Sequence, residues 1–259
     1  MAGRTALITG STSGIGLGIA QSLASQGANV VLNGFLQYPG EADVLKKDIQ
    51  AYNVKCAYSG ADMSKPQDIK QMVEEAVGAF GSVDILVNNA GIQRVFPLEA
   101  FPEEQWDAVI AINLNSAFHS MKAAIPHMKA KKWGRIINTA SVHGLVASKN
   151  KSAYVAAKHG LVGLTKAAAL ELAGSGITAN CINPGWVLTP LVEAQIQAKA
   201  KELNITRDEA QSLMLREKQP SEQFVTTEAL GSLVSFLCSP AGDQITGISV
   251  PVDGGWTSQ

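Results

Sequence analysis

Short apolar runs alternate with longer amphipathic stretches along the whole chain. The first apolar run covers residues 5–9, a periodic stretch follows at 17–25, and a second apolar run lies at 28–33. Continuous apolar runs are typical of strands that are buried on both faces, whereas apolar positions in a helical repeat are typical of amphipathic helices. The chain is therefore predicted to begin with a strand, a glycine-rich turn, a helix and a second strand.

The same alternation continues to the end of the chain and predicts one sheet. Further strands are predicted at 54–58, 83–87, 134–140, 177–182 and 248–252, and further helices at 41–52, 66–80, 103–128, 152–173 and 227–238. Residues 191–218 break this rhythm with two polar helical pieces. We predict an α/β fold, with a single doubly wound parallel sheet of the Rossmann type over residues 1–259 and a small helical lid at about 190–220.

Local signals predict where some of these elements begin and end. Ser64 stands in a position to cap the helix at 66–80. Gly174 and Gly176 are expected to end the helix at 152–173, because glycine adopts the backbone conformation that closes helices. The sequence Asn183-Pro184-Gly185 is expected to break the strand at 177–182.

Composition narrows the class of protein. Apolar residues make up 46% of the chain, charged residues 17%, and the net charge is -1, which disfavours a nucleic-acid partner. No charged-then-apolar leader and no membrane-spanning run are recognised, so we expect a cytoplasmic protein without a membrane partner. Cys56, Cys181 and Cys238 are odd in number and lie among apolar residues, which indicates free thiols and no metal site.

The glycine-rich turn after the first strand reads Gly10-Ser11-Thr12-Ser13-Gly14-Ile15-Gly16. Glycines let the backbone approach a pyrophosphate, and the helix that follows offers free N–H groups and a favourable dipole. Placed between a strand and a helix, this turn predicts nucleotide binding, although a tight structural turn is the alternative.

Polar, non-periodic residues gather at the carboxyl ends of the predicted strands, where open parallel sheets bind their ligands. They lie at 10–16, Asp62, 88–91, 141–144 and 184–189. Because these strand ends meet at one edge of the sheet, we predict one shared site.

Tyr154 and Lys158 stand four residues apart on a predicted helix, and therefore on one face of it. A lysine ammonium beside a phenol favours the phenolate, so we expect a lowered pKa for Tyr154 and a role as general acid or base. The alternative is a half-buried tyrosine with a solvated lysine, because such pairs are common by chance.

The motifs of the chain occur in a characteristic order. They are Thr9-Gly10-x-x-x-Gly14-x-Gly16, Asn88-Asn89-Ala90-Gly91, Asn113, Ser141, Tyr154-x-x-x-Lys158 and Pro184-Gly185. With these motifs the whole chain resembles the short-chain dehydrogenase/reductase family.

That resemblance implies a nicotinamide cofactor and a catalytic set of Asn113, Ser141, Tyr154 and Lys158. It implies that Tyr154 exchanges a proton with the substrate hydroxyl and that Ser141 hydrogen-bonds the substrate oxygen. It further implies that Lys158 lowers the tyrosine pKa and holds the nicotinamide ribose, and that Asn113 anchors a water in the proton relay.

The cofactor-binding residues implied by the resemblance follow the strand ends. They are Gly10, Thr12, Ser13, Gly14, Ile15, Gly16, Phe35, Asp62, Asn89, Gly91, Tyr154, Lys158, Pro184, Gly185 and Val187, with Asp62 meeting the adenine. After the second strand, Asn33-Gly34-Phe35 offers neither an acid for a ribose hydroxyl nor a cation for a 2′-phosphate. We therefore favour NAD over NADP, and Phe35 either excludes a 2′-phosphate or packs on the adenine.

A closer resemblance, to the subfamily of bacterial D-3-hydroxybutyrate dehydrogenases, rests on several short segments. They are Asn33-Gly34-Phe35, Gly91-Ile92-Gln93, 140–148, 150–154, Pro184-Gly185-Trp186-Val187, 217–221 and 253–257. This resemblance implies a substrate site of Gln93, Ser141, His143, Lys151, Tyr154, Trp186, Gln195 and Trp256. Gln93, His143, Lys151 and Gln195 would hold the substrate carboxylate, and Trp186 and Trp256 would wall the pocket.

The chemistry of these side chains suits a small carboxylate, because an ammonium, an imidazole and two amides offer donors without a fixed negative charge. Taken singly, Lys151 is more often a solvated lysine, His143 a loop-bracing histidine and Gln195 a surface residue. The expected reaction is NAD-dependent oxidation of (R)-3-hydroxybutyrate to acetoacetate, in either direction.

Two alternatives stay open at this point. One is a reductase for another substrate, such as a 3-oxoacyl carrier protein or a sugar, and the other is a catalytically silent nucleotide-sensing protein. The family resemblance also implies a homotetramer, with which the apolar residues 230–252 are compatible.

Overall fold

Seven parallel strands form the centre of the molecule in the computed structural model, which describes residues 1–258. The strands are β1 (Thr5–Ile8), β2 (Asn29–Asn33), β3 (Cys56–Ser59), β4 (Ile85–Asn88), β5 (Gly134–Thr139), β6 (Ile177–Pro184) and β7 (Ser249–Val252). Their order across the sheet is β3-β2-β1-β4-β5-β6-β7. The order reverses beside β1, which pairs with β2 at Val30 and with β4 at Ile85. The predicted doubly wound parallel sheet is confirmed, and this reversal is where such sheets bind ligands.

Helices cover both faces of the sheet. They are α1 (Gly14–Ser25), α2 (Glu41–Gln50), α3 (Pro66–Phe80), α4 (Glu103–Ile110), α5 (Ser116–Lys131), α6 (Ser152–Leu172), α7 (Pro190–Leu203), α8 (Arg207–Lys218) and α9 (Thr227–Cys238). The helices α1, α2 and α9 pack on one face, and α3, α5 and α6 pack on the other. Gly174, with a φ of 78°, follows α6 as predicted.

Alternate side chains of each strand supply the two hydrophobic cores. In β1, Ala6 and Ile8 point into the core beneath α1 and α9, whereas Leu7 points into the core beneath α3, α5 and α6. All three side chains are fully buried. Because both faces are covered, strands such as β1 and β2 are apolar without alternation, which is why their positions could be predicted from the sequence.

The predicted helix at 103–128 is interrupted. A π-helical segment, Ala111–Asn115, separates α4 from α5 and places Asn113 toward the strand ends. A π-helical turn inserts one residue into the helical repeat, and such turns are frequent at functional sites. The apolar pattern of the sequence does not reveal this insertion.

Two predicted boundaries were wrong. Lys65, not Ser64, precedes α3, and the Ser64 hydroxyl donates to Asp62 Oδ1 at 2.7 Å. The strand β6 continues through Asn183 to Pro184, where Pro184 pairs with Val252 of β7. Pro184 is the last residue of the strand.

The helices α7 and α8 form a separate helical hairpin with a small core of their own. Val192, Ile196, Ala210 and Met214 pack together in it. Thr189 caps α7, and Thr206 forms a capping box with Glu209 at the start of α8. These helices coincide with the segment predicted as a lid.

Cys56, Cys181 and Cys238 are free thiols, as predicted. Among the residues that the structure describes, no helix is both long and apolar enough to cross a membrane.

Candidate active site

A cleft opens at the carboxyl ends of β1, β4, β5 and β6, beneath the α7–α8 hairpin. Most of the predicted site residues line it: Ser13, Gly14, Ile15, Asn89, Gly91, Gln93, Ser141, His143, Lys151, Tyr154, Lys158, Pro184, Gly185, Trp186, Val187, Gln195 and Trp256. The predicted residues Gly10, Thr12, Gly16, Phe35, Asp62 and Asn113 do not line this cleft. The structure thus brings the predicted proton-transfer residues and the predicted carboxylate ligands into one space.

Ser141 follows β5 and begins a short helical turn, Val142–Gly144. Its hydroxyl accepts a hydrogen bond from the backbone N–H of His143 at 3.2 Å. Its backbone carbonyl accepts one from Asn183 Nδ2 at 2.8 Å, and Asn183 is fully buried at the end of β6. The neighbouring strand therefore fixes the position of Ser141.

Tyr154 and Lys158 lie one turn apart on α6, and Lys158 is 3% exposed. Lys158 Nζ donates to the backbone carbonyl of Thr139 at 2.7 Å and lies 5.5 Å from the centre of the Tyr154 ring. Burial raises the pKa of Tyr154, while a hydrogen bond with Ser141 acts in the opposite direction. The predicted lowering of this pKa is not found, because burial outweighs the hydrogen bond with Ser141. Burial lowers the pKa of Lys158 to about 8.

Asn113 is 2% exposed and its side chain is fully engaged with the backbone of Ile92. Asn113 Oδ1 accepts from Ile92 N at 2.9 Å, and Nδ2 donates to Ile92 O at 2.9 Å. The β-carbon of an alanine at position 91 would lie 3.5 Å from Asn113 Oδ1. The π-helical segment therefore holds the loop that carries Gly91 and Gln93.

The glycine-rich turn packs so closely on itself and on the loop after β4 that Gly16 leaves no space for a side chain. A β-carbon at Gly16 would lie 2.3 Å from Gly10 O and 2.5 Å from Asn89 Nδ2. The helix α1 begins at Gly14 inside the cleft, and the Ser13 side chain does not cap it. Its first N–H groups are available to an anion, so the residues present fit the pyrophosphate of a nicotinamide cofactor.

Phe35 and Asp62 lie outside the cleft, in the segments that follow β2 and β3. Phe35 is 71% exposed, and its carbonyl accepts from the Thr12 hydroxyl at 3.1 Å. Asp62 accepts from Ser64 and pairs with Lys65 at 3.4 Å, and the hydrogen bonds from Ser64 lower its pKa. Whether either residue meets a cofactor stays a prediction.

Lys151 directly precedes α6 and points into the cleft over the Trp186 ring, with Nζ 5.4 Å from the ring centre. Among residues 1–258, no acidic side chain lies within ion-pair distance of this ammonium. Burial, with Lys218 as a second cause, lowers its pKa to about 8. The protein thus keeps an uncompensated cation in the cleft.

Aromatic side chains enclose the space beside Lys151. Trp186 and Trp256 lie 5.4 Å apart between ring centres. The His143 ring meets Trp256 edge to face at 5.6 Å and Tyr154 at 5.9 Å. Gln195 Nε2, from α7, donates to Gln93 Oε1 at 3.3 Å across the mouth of the cleft. The predicted substrate residues therefore form one small, mostly apolar chamber with a few donors.

Three residues that support the cleft escaped the sequence analysis. Thr139 holds Lys158, and Asn183 holds Ser141. The side-chain oxygen of Gln219, which is fully buried, accepts from the backbone N–H of Trp186 at 2.8 Å. Gln219 lies in a segment that contributes to the subfamily resemblance, which was its only signal. The other two act through backbone atoms or from inside a strand, where the apolar pattern carries no information on side-chain partners.

Comparison with known proteins agrees with this geometry. The sequence matches the short chain dehydrogenase family over residues 4–200. The D-beta-hydroxybutyrate dehydrogenases of Cupriavidus necator and Rhizobium meliloti are 57% and 52% identical to it, each over 99% of both chains. The crystal structure of levodione reductase superimposes with a TM-score of 0.91 at 31% identity, covering 100% of this chain and 99% of its own. The chain belongs to the short-chain dehydrogenase family.

Proposed function

We propose that the protein oxidises (R)-3-hydroxybutyrate to acetoacetate with NAD, and catalyses the reverse reduction. The single observation that carries this proposal is the ammonium of Lys151, which is largely buried beside Tyr154 and lacks an acidic partner among the described residues. Two relatives that carry the name D-beta-hydroxybutyrate dehydrogenase and are similar over their whole length support the choice of substrate.

An uncompensated ammonium selects an anionic substrate. Desolvation disfavours a buried cation, and a carboxylate at hydrogen-bond distance restores the lost interaction. The Gln93 amide stands opposite and keeps its N–H groups, because its oxygen already accepts from Gln195. Lys151 and Gln93 therefore bind the two carboxylate oxygens, while Gln195 holds the Gln93 amide from the lid.

The anion site and the proton-transfer group line the same cleft, which favours a short hydroxy acid. Lys151 precedes Tyr154 by three residues, at the start of one helix. A carboxylate on Lys151 would place the carbon that bears the hydroxyl toward Tyr154 and Ser141. Trp186 and Trp256 form a wall of the same cleft, with 5.4 Å between their ring centres.

Three side chains carry the chemistry. Tyr154 accepts the proton of the substrate hydroxyl during oxidation and returns it during reduction. Ser141 donates a hydrogen bond to the substrate oxygen, on which negative charge develops. Lys158 supplies positive charge beneath Tyr154 and keeps its position through Thr139.

The nicotinamide cofactor supplies the hydride acceptor when it is bound. Gly14, Gly16 and the N-terminus of α1 would hold its pyrophosphate, and Lys158 its nicotinamide ribose. We favour NAD because residues 33–38 contain no lysine or arginine to pair with a 2′-phosphate. The Thr12 hydroxyl donates to the Phe35 carbonyl. This hydrogen bond ties the glycine-rich turn to the segment after β2 and reduces the space for a 2′-phosphate.

The α7–α8 hairpin serves as a lid over the substrate, because it contributes Gln195 to the cleft and packs mainly on itself. Closure of the lid removes water from Lys151 and strengthens its hold on the carboxylate. A homotetramer and a cytoplasmic location stay predictions from the family resemblance.

A substrate panel tests the proposal. The purified protein is incubated with each cofactor and with (R)-3-hydroxybutyrate, a sugar alcohol, or a 3-oxoacyl thioester for the reductive direction. We expect high kcat/KM only for 3-hydroxybutyrate with NAD. Preference for the thioester with NADPH would replace the proposal with an acyl reductase, and absence of hydride transfer from every substrate would indicate a silent protein.

A further inference from the structure

Gln219 is a buried amide at the base of the α7–α8 hairpin. It follows the last residue of α8 and is fully buried. Its side-chain oxygen accepts from the backbone N–H of Trp186 at 2.8 Å, and its Nε2 donates to the backbone carbonyl of Gln223. A backbone N–H can only donate and a backbone carbonyl can only accept, so these two partners fix the orientation of the amide. Gln219 therefore joins the segment that enters the hairpin to the segment that leaves it.

The same two segments meet at a second point. The backbone N–H of Val225 donates to the Trp186 carbonyl at 2.8 Å, and Val187 forms a parallel bridge with Val225. Gly185 allows the Gln219 oxygen to come close, because a β-carbon at position 185 would lie 2.5 Å from that oxygen. Both backbone hydrogen-bonding groups of Trp186 are thus held by residues 219–225.

The position of the Trp186 ring depends on this backbone anchorage. The ring nitrogen Nε1 is buried and has no hydrogen-bond partner within residues 1–258. The centre of the ring lies 5.4 Å from Lys151 Nζ and 5.4 Å from the centre of the Trp256 ring. Because no hydrogen bond of its own holds the ring, its place against Lys151 follows from its packing and from its backbone.

We propose that Gln219 is a positioning residue that holds the Trp186 ring against Lys151 and so fixes the ammonium that binds the substrate carboxylate. Gln219 does not line the cleft and acts through the backbone N–H of Trp186. This role rests on the proposed function, because it concerns the carboxylate site at Lys151. Gln219 takes no part in proton transfer, so its loss is expected to change KM rather than kcat.

The energetic reason is preorganisation of the cation. The face of an indole ring attracts an ammonium that lies over it, and it does so only while the ring keeps its place. A lysine side chain that is already held in the cleft loses less freedom when a carboxylate binds. Without the Gln219 oxygen, the Trp186 N–H loses its acceptor, and an unpaired amide inside a protein is costly. The segment is then expected to shift, and the ring moves away from Lys151.

Two substitutions and one control test this role. Gln219→Met keeps the length of the side chain and removes both polar atoms, whereas Gln219→Glu keeps an oxygen for the Trp186 N–H. Gln197→Met makes the same change at an exposed glutamine of α7, whose amide bonds Glu193 at 3.1 Å. We expect Gln219→Met to raise KM for (R)-3-hydroxybutyrate roughly 3- to 10-fold with kcat little changed. Gln219→Glu and Gln197→Met are expected to keep KM close to the wild-type value.

The effect of Gln219 should depend on the Trp186 ring. In Trp186→Leu there is no ring to position, so the addition of Gln219→Met should raise KM no further. An equal rise of KM in the wild-type and Trp186→Leu backgrounds would show that Gln219 acts on the fold in general, and it would overturn the proposal.

Fluorine NMR of protein labelled with 5-fluorotryptophan follows the ring in the absence of substrate. The chain contains four tryptophans, and the Trp186 signal is identified by its loss in Trp186→Leu. We expect this signal to shift or broaden in Gln219→Met and to stay in place in Gln219→Glu. The signals of Trp106 and Trp133, which do not line the cleft, should stay in place in both variants and report an intact fold.

An unchanged Trp186 signal in Gln219→Met would overturn the proposal. A displaced signal in Gln219→Glu would do so as well, and this variant carries the test if the methionine variant does not fold. Failure of the proposed function would instead appear as a wild type that does not oxidise 3-hydroxybutyrate while its Trp186 signal still responds to Gln219→Met.

Discussion

Lys151 gives the sharpest prediction, because its substitution should weaken activity and strengthen the fold together. Its pKa of about 8 lies well below the ordinary lysine value of 10.5. The folded protein therefore holds this proton less tightly than the unfolded chain, and the charged lysine destabilises the native state below pH 8. As the pH rises from about 8 to 10.5, Lys151 is neutral in the folded protein but still charged in the unfolded chain. The destabilisation therefore decreases over this range, and the free energy of unfolding rises.

The size of each effect follows from the same geometry. A difference of that size in pKa corresponds to on the order of 3 kcal/mol, so Lys151→Met is expected to raise the free energy of unfolding by up to about that amount at neutral pH. A hydrogen bond to a charged group contributes about 1.5–3 kcal/mol. Its loss should lower kcat/KM for (R)-3-hydroxybutyrate about 10- to 150-fold.

Two assays check this prediction. Urea unfolding at pH 7 measures stability, and initial rates with (R)-3-hydroxybutyrate and with (R)-butan-2-ol measure the part played by the carboxylate. The alcohol lacks a carboxylate, so its kcat/KM should not fall in Lys151→Met. Lys149→Met, at an exposed lysine two residues earlier, is the matched control and should change neither quantity.

Two results would contradict this role of Lys151. Unchanged kcat/KM for the hydroxy acid in Lys151→Met would place the carboxylate elsewhere. A lower free energy of unfolding in that variant would show that the ammonium stabilises the fold and is not an uncompensated charge.

Other predictions concern the proton-transfer pair and the lid. Tyr154→Phe should lower kcat by roughly 10²- to 10⁴-fold with folding intact, and near-normal turnover would contradict its role. Because burial raises the Tyr154 pKa, kcat for oxidation should rise with pH. KM should rise about tenfold per pH unit above pH 8, because Lys151 loses its proton there. A kcat or a KM that does not change with pH in this way would count against the role of Tyr154 or of Lys151, respectively. Thr206→Ala removes the capping box of α8, which should destabilise that helix by about 0.5–2 kcal/mol. Proteolysis of residues 190–218 should then become faster. Thr226→Ala, which removes the cap of α9, is the control and should not change this rate. Cofactor and hydroxy acid together should slow this cleavage in the wild type, and equal rates would argue against lid closure.

The layout of the fold could be predicted because the sheet is buried on both faces. Strands such as β1 and β2 contain unbroken apolar runs, and that pattern separates them from the amphipathic helices that follow. The interruption at Ala111–Asn115 could not be predicted, because the apolar positions of α4 and α5 remain compatible with one helix. Likewise, the end of β6 depends on pairing with β7, which is distant in the sequence.

For the site, the sequence indicated which residues meet but not how they bond. Topology brings the strand ends together, so Ser141 and Tyr154 could be expected to share a cleft with Lys158. The sequence did not show that burial would dominate the Tyr154 pKa, or that Lys158 would donate to a backbone carbonyl, that of Thr139. Any residue can offer such an acceptor, so no sequence pattern reports it.

We propose that the cleft holds a carboxylate on Lys151 while Tyr154 takes the proton of a hydroxyl group of one handedness. Initial rates of NADH and NADPH formation from the separate enantiomers of 3-hydroxybutyrate test both parts of this arrangement together. We expect rapid NADH formation from the (R) enantiomer, with little product from the (S) enantiomer or with NADP. Equal rates for the two enantiomers, or a faster reaction with NADP, would show that the arrangement is wrong.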